Sequence, residues 1–259
     1  MEKVDPVIRL IMHTRPVELG LFLKRILRIK RVKREIGGII LSLDPASAFG
    51  RCLITSGYYE PGMTAAIEDL LSEGDTFIDL GGNEGYFSVI AAKKVGKTGK
   101  VFCLEPQERL WSTIFRNLYY NDITQCVLLP YAISNSQGVA KLVLTPSFNT
   151  GTSSLVKLFR YRSLCWPKQE VISCSLDEIW HSYGMNTVKL IKIDIEGYEL
   201  NGLRSAADLL TKKKIRNILI EIHPHQLRLL KQTPEEVFEL LTGYGYTHTQ
   251  LHGVDLFYA

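Results

Sequence analysis

From residue 76 to residue 222 the chain alternates short apolar runs with stretches of helical spacing. Residues 76–80 (TFIDL), 100–104 (KVFCL), 126–133, 189–195 (KLIKIDI) and 217–222 (NILIEI) read as strands. Residues 85–94 and 109–120 read as helices, and a further helix separates the last two strands. Strands alternating with helices imply a mostly parallel sheet covered on both faces, an α/β fold. Residues 138–174 break the rhythm and are expected to form an inserted hairpin and flap. Residues 246–251 and 254–258, around His252-Gly253, predict a terminal hairpin. Upstream, residues 36–60 read as a short antiparallel lead-in and residues 64–71 as a helix ending at the turn Glu73-Gly74-Asp75.

Residues 19–32 (LGLFLKRILRIKRV) place apolar positions near helical spacing with basic residues largely between them, which predicts a basic amphipathic helix. Net charge is +4, but residues 1–35 hold ten Lys/Arg against four Asp/Glu, so the rest of the chain carries a net −2. That distribution argues against a nucleic-acid groove across the main body. The helix is expected to dock on the body; the alternative is peripheral contact with an anionic membrane through residues 19–34. Chain length fits one large domain with an extension, divided as 1–35 and 36–259. No apolar run approaches the ~20 residues that span a bilayer, and charges interrupt the N-terminal apolar stretches, which makes a poor signal peptide. Five cysteines (Cys52, Cys103, Cys126, Cys165, Cys174) without a C-x-x-C pair fit a reducing, cytoplasmic compartment.

The glycine-rich turn Asp79-Leu-Gly81-Gly82-Asn83-Glu84-Gly85 follows a strand and opens a helix, and Glu105 ends the next strand. Glycines permit close backbone approach to a ligand, and a carboxylate at the second strand end can accept bonds from both ribose hydroxyls. Together they outline a nucleoside site. The dinucleotide pattern is G-x-G-x-x-G with a pyrophosphate on the helix N-terminus; here it is D-x-G-x-N-x-G. Asp79 and Glu84 would repel a pyrophosphate and suit a ligand with ammonium and sulfonium groups. S-adenosylmethionine is therefore the expected ligand, with NAD and a ligand-free turn as alternatives.

At this point the sequence resembles the FkbM-type methyltransferases over about residues 36–246. Gly57-Tyr-Tyr-Glu60-Pro61 resembles the family's tyrosine–glutamate–proline segment, and the stretch from Phe77 to Tyr86-Phe87 resembles its donor loop. Glu105-Pro106 with Asn117 and Asn121 resembles the ribose segment and following helix, and Ala132-Ile133-Ser134 with Gly138 the strand end beside the adenine. Ser175-Leu-Asp177 precedes Ile191-Lys-Ile-Asp194-Ile-Glu196-Gly-Tyr-Glu-Leu200, the most specific signature, and residues 219–222 resemble the last parallel strand. The resemblance implies a Rossmann-like class I methyltransferase fold: a mostly parallel seven-stranded sheet with an antiparallel C-terminal strand. It implies S-adenosylmethionine held by Glu60, Asp79, Gly81, Gly82, Asn83, Gly85, Tyr86, Phe87, Glu105, Pro106, Ala132, Ile133 and Asp194. Gly82 stands where alanine is usual, and no steric consequence is expected. His223-Pro-His225 and the basic N-terminal helix lie outside the family pattern.

The resemblance also implies methyl transfer, usually to a hydroxyl oxygen. Such an acceptor must lose a proton, so a positioned base is expected at the strand ends facing the donor. Asp194 and Glu196 share one side if the extended form persists through Glu196, Lys192 alternates onto that side, and Glu221 and His223 share a face likewise. These four, Asp194, Glu196, Glu221 and His223, are the catalytic candidates. With His225 they could also bind iron or zinc, but such groups are common without metal and none is expected. Residues 149–154, rich in hydroxyls and followed by Arg160, Tyr161 and Arg162, read as a lid or a solvated loop. No Asn/Asp-Pro-Pro-Tyr/Phe motif is present, which argues against methylation of base amino groups. The expected enzyme is an O-methyltransferase acting on a sugar, glycolipid or natural product. An RNA or protein methyltransferase and a non-catalytic donor-binding module at a membrane surface are the rival readings.

Overall fold

The computed structural model describes residues 6, 14, 17–135, 137–145, 150–153, 155 and 166–259. Most of the first sixteen residues, Asn149, Ser154, Arg160, Tyr161, Arg162 and Cys165 lie outside them.

Seven strands form the central sheet: β3 (Thr76–Leu80), β4 (Lys100–Leu104), β5 (Cys126–Leu129), β9 (Val188–Ile193), β10 (Ile215–Ile220), β11 (Thr247–Leu251) and β12 (Val254–Tyr258). Their order is β11-β12-β10-β9-β3-β4-β5. The pairs from β10 through β5 are parallel, and β12 runs antiparallel to both β10 and β11. The chain starts in the middle at β3, winds outward through β4 and β5, then returns to the other side of β3 with β9. That reversal opens a crevice above the carboxyl ends of β3 and β9, where ligands of such sheets bind.

Alternation along each strand feeds two cores. Ile78, Leu80, Phe102, Leu104, Ile191, Ile193, Ile218 and Ile220 pack on one face, and Phe77, Val101, Cys103, Leu190, Leu219 and Leu256 on the other. Helices α4 (Tyr86–Val95) and α5 (Glu108–Tyr120) follow β3 and β4. Both lie on the second face, with Val89, Ile90, Ile114 and Leu118 in its core. α6 (Pro234–Gly243) follows β10, covers the first face with Val237 and Leu241, and starts on a Thr233/Glu236 capping box.

Several local expectations are corrected. The third strand, expected over 126–133, divides at Pro130, which has no N–H for a ladder. Its second part, β6 (Tyr131–Ile133), leaves the main sheet and pairs in parallel with β8 (Lys168–Cys174). β8 pairs antiparallel with β7 (Gly138–Val143), so the expected hairpin becomes a three-stranded sheet. Within the lead-in, β1 (Val32–Ile36) and β2 (Ile39–Leu43) form a hairpin, but α2 (Ala48–Ser56), capped by the Ser47 side chain, replaces further strand. α3 spans Pro61–Leu70. The N-terminal helix α1 (Val17–Ile26) closes before the expected Val32, because Val32 is already in the hairpin. No helix of the described residues is long and apolar enough to cross a membrane.

Candidate active site

The turn after β3 is held against β4 by two backbone bonds, as the Gly81 and Gly82 N–H groups donate to the Leu104 carbonyl at 3.1 and 3.0 Å. Gly81 has φ +82°, and a Cβ there would lie 2.0 Å from the Asp194 carbonyl oxygen. Only glycine therefore fits. At Gly82 a Cβ would lie 2.3 Å from Cys103 Sγ, so an alanine is not harmless in this chain. Cys103 is fully buried. Gly82→Ala is expected to cost about 1–3 kcal/mol of stability by overpacking, and Cys103→Ala in the same chain to restore most of it. Thermal denaturation of the two variants beside the parent chain checks this; a neutral single substitution would show that Cys103 yields.

Glu105 lies beneath the turn, 3% exposed. Its Oε2 accepts the Asn83 N–H at 2.7 Å and its Oε1 the Gln107 N–H at 2.8 Å. Burial pushes its pKa up to about 7, against those two backbone bonds. Across the crevice Glu60 caps α3 with φ +42°. Its Oε2 is buried with no hydrogen-bond partner. The two carboxylates share one cavity with Gly81, Gly82, Asn83, Tyr86, Phe87, Pro106, Ala132, Ile133 and Asp194, all expected at a donor site. Tyr86 and Phe87 stack edge-on at 5.1 Å, and Tyr59 and Phe49 complete the aromatic wall.

Two expected contacts are absent from the cavity lining: Asp79 and Gly85. Asp79 is wholly buried, accepts a bond from Ser88 Oγ at 2.7 Å and pairs with Lys192 Nζ at 3.2 Å. The β3–β9 register places Lys192 directly beside it. Gly85 turns its Cα toward Ile114 and starts α4 with φ +81°. Glu84 is also neutralised, by an ion pair with Arg31. Glu60 and Glu105, in place of Asp79 and Glu84, are thus the carboxylates set against a pyrophosphate in the cavity.

The opposite wall comes from the ends of β9 and β10. The extended form stops at Ile193, and Glu196 takes φ +52°, so strand alternation does not align Asp194 with Glu196. The turn brings them together by another route. His223 Nε2 lies 3.9 Å from Asp194 Oδ1 and 3.8 Å from both Glu196 Oε2 and Glu221 Oε1. All four side chains line the cavity. His223 Nδ1 is 2.8 Å from Oε1 of the fully buried Glu199, which also accepts the Gly197 N–H. Burial lowers the His223 pKa, but the Glu199 bond and the charges of Glu196, Glu199 and Asp194 outweigh it and raise it to about 9. Burial pushes Glu196 up to about 7.

Among the described residues, Asp194, Glu196 and His223 each offer a ligand atom within 4.8 Å of the others, a set that could hold a metal ion; His225 is not part of it. Sequence reasoning missed Tyr59, Gln107 and Tyr198 in the lining and Glu199 behind the histidine. Glu199 lies inside the Glu196-Gly-Tyr-Glu199 signature, whose second glutamate was the available signal. The hydroxyl-rich segment contributes where it is described: Thr150 Oγ1 donates to Asn83 Oδ1 at 3.0 Å, and the Thr150 carbonyl accepts from Gln107 Nε2 at 3.2 Å.

No curated protein matches the chain. Solved structures similar to it include a SAM-dependent methyltransferase from Aquifex aeolicus, at 17% identity over 78% of this chain and 89% of that one, with a TM-score of 0.42. An rRNA methylase from Streptococcus thermophilus shares 11% identity over 75% and 91%, TM-score 0.44. TYW2 of M. jannaschii in complex with AdoMet shares 10% over 88% and 83%, TM-score 0.42. The model of the methyltransferase FkbM domain matches residues 79–247, from the end of β3 into β11 and through both walls of the cavity. The chain therefore belongs to the FkbM family of S-adenosylmethionine-dependent methyltransferases.

Proposed function

We propose that the enzyme methylates a hydroxyl oxygen of a sugar, glycolipid or natural product. The observation that carries this reading is His223 Nε2, set on the cavity wall among Asp194, Glu196 and Glu221, whose oxygens lie 3.8 to 3.9 Å from it. A hydroxyl acceptor needs a group that takes its proton, and this nitrogen faces the space it would occupy.

The donor pocket fits S-adenosylmethionine. Each Glu105 oxygen accepts one backbone N–H and keeps a lone pair for a ribose hydroxyl. The orphaned Glu60 oxygen suits a cation such as the donor's ammonium group. When bound, the donor supplies a methyl group already activated on sulfonium. The chain's own task is to orient the acceptor and receive its proton, and orientation is the larger part. Glu199 holds the imidazole by Nδ1, and Nε2 receives the proton.

The imidazole must first be neutral. With apparent values of about 7 for Glu196 and about 9 for His223, kcat/KM is expected to rise from pH 6 to above 9. The two groups titrate as one coupled cluster. A profile flat from pH 6 to 10 would count against His223. Stability moves oppositely. The folded His223 pKa is raised above the unfolded ~6.5, so its contribution is complete below that value and lost as pH rises through about 9.

The reading is tested with purified protein and methyl-labelled donor, offered hydroxylated glycans, total RNA and protein extract. Label in RNA or protein with none in hydroxylated small molecules overturns it.

A further inference from the structure

α1 turns its apolar side away from the body. Gly20 is buried and Lys24, one turn on, forms an ion pair with Asp44, so positions 20 and 24 face inward. Leu19, Phe22 and Ile26 recur at i, i+3 and i+7 on the other side, 44%, 59% and 58% exposed, and Leu27 follows at 48%. A helix docked only on its own domain would bury that stripe. Here Leu19, Phe22, Ile26 and Leu27 remain in water while, among the described side chains, Gly20, Lys24 and the partly buried Leu23 lie toward the body, which leaves a favourable burial unmade.

The charge around the stripe selects what covers it. Residues 19–34 carry seven Lys/Arg and no Asp/Glu. Lys24 and Arg31 are engaged by Asp44 and Glu84, but Arg25, Arg28 and Lys30 stay exposed. A surface of one sign suits a uniformly negative plane better than a protein surface of mixed charge. The patch has aromatic flanks as well. Ser42 receives Arg31 on its carbonyl and Arg116 on its hydroxyl, so the extension and α5 border the same stretch of hairpin. α5 there exposes Phe115 (57%) and Tyr119 (79%), and Lys33 lies 4.4 Å over the Tyr120 ring. Apolar, aromatic and basic groups together match the headgroup boundary of a bilayer.

We propose that α1 and the turn after it dock the enzyme peripherally on an anionic lipid surface, with Leu19, Phe22, Ile26 and Leu27 among the acyl chains and Arg25, Arg28 and Lys30 at the headgroups. The contact does not rest on the acceptor proposed above. Arg31 ties the docking segment to Glu84 in the donor turn, so a lipid-bound enzyme holds its cavity at a set position relative to the surface.

The test uses the full chain, sedimented with phosphatidylcholine vesicles with and without phosphatidylglycerol. Retention is expected on the anionic vesicles only, and high salt should weaken it. Phe22→Asp with Ile26→Asp should lower partitioning about tenfold or more. The same variant should bind S-adenosylmethionine in calorimetry as the parent does, which shows that its fold is intact. Loss of retention with donor binding kept supports the proposal. No retention of the parent chain, equal retention of parent and variant, or self-association of the parent that the variant abolishes would each overturn it.

Discussion

His223→Asn is expected to lower kcat about 10²–10⁴-fold while leaving S-adenosylmethionine affinity unchanged. The ring's polar neighbours among the described residues are Asp194, Glu196, Glu199 and Glu221, whereas the turn is held by Leu104 and Glu105, so the donor turn keeps its shape. The substitution removes the nitrogen that faces Asp194, Glu196 and Glu221. Glu199→Gln separates base from positioning. An amide at residue 199 still reaches Nδ1 but carries no charge to hold the imidazolium, so the upper limb of the pH–rate profile should move to lower pH. A merely structural Glu199 would lower activity without moving that limb. Stopped-flow or discontinuous transfer assays with a responsive acceptor, beside donor titrations of each variant, measure both effects. Near-parental turnover by His223→Asn would remove the histidine from the chemistry.

Lys192→Met has the largest expected effect on stability. Lys192 is 1% exposed and Asp79 0%, and the ammonium also lies 3.5 Å from Asp194 and over the Phe87 ring. Burial works against the charge, but the carboxylates of Asp79, Asp194 and Glu60 raise the lysine pKa, so it stays protonated. Removing it leaves Asp79 charged in the core, which costs about 3–5 kcal/mol. At about 2–4 °C per kcal/mol for a chain of this size, the melting temperature should fall by roughly 6–20 °C. Asp79→Leu combined with Lys192→Met should recover much of the loss, because replacing both charges is often near neutral. Differential scanning calorimetry decides the matter: a single variant as stable as the parent would show that water reaches Asp79.

The fold was legible where a local period carried it. β3, β4, β9 and β10 are short, nearly continuous apolar runs, and their successive side chains feed two cores in turn. The terminal hairpin is marked by its turn instead, where His252 and Gly253 both take positive φ. The lead-in was less legible, since 36–60 mixes β-branched and small residues that suit either state, and the Ser47 cap decides for helix. Pro130 was visible as a breaker, but the sheet that β6 would join was not, because β8 lies some forty residues on.

The sequence by itself determined the glycine turn between β3 and α4, the carboxylate at the end of β4 and the position of Asp194, Glu196, Glu221 and His223 just beyond the ends of β9 and β10. Each follows from backbone geometry or strand ends within a few residues. The tertiary structure alone decided how charges are shared. It turned Asp79 away from the ligand to Lys192, gave Glu84 to Arg31, placed Glu199 behind His223, and made Cys103 the neighbour that excludes a methyl group at Gly82. A buried charge takes the partner that sheet register and chain packing bring to it, and no local period in the sequence encodes which residue arrives.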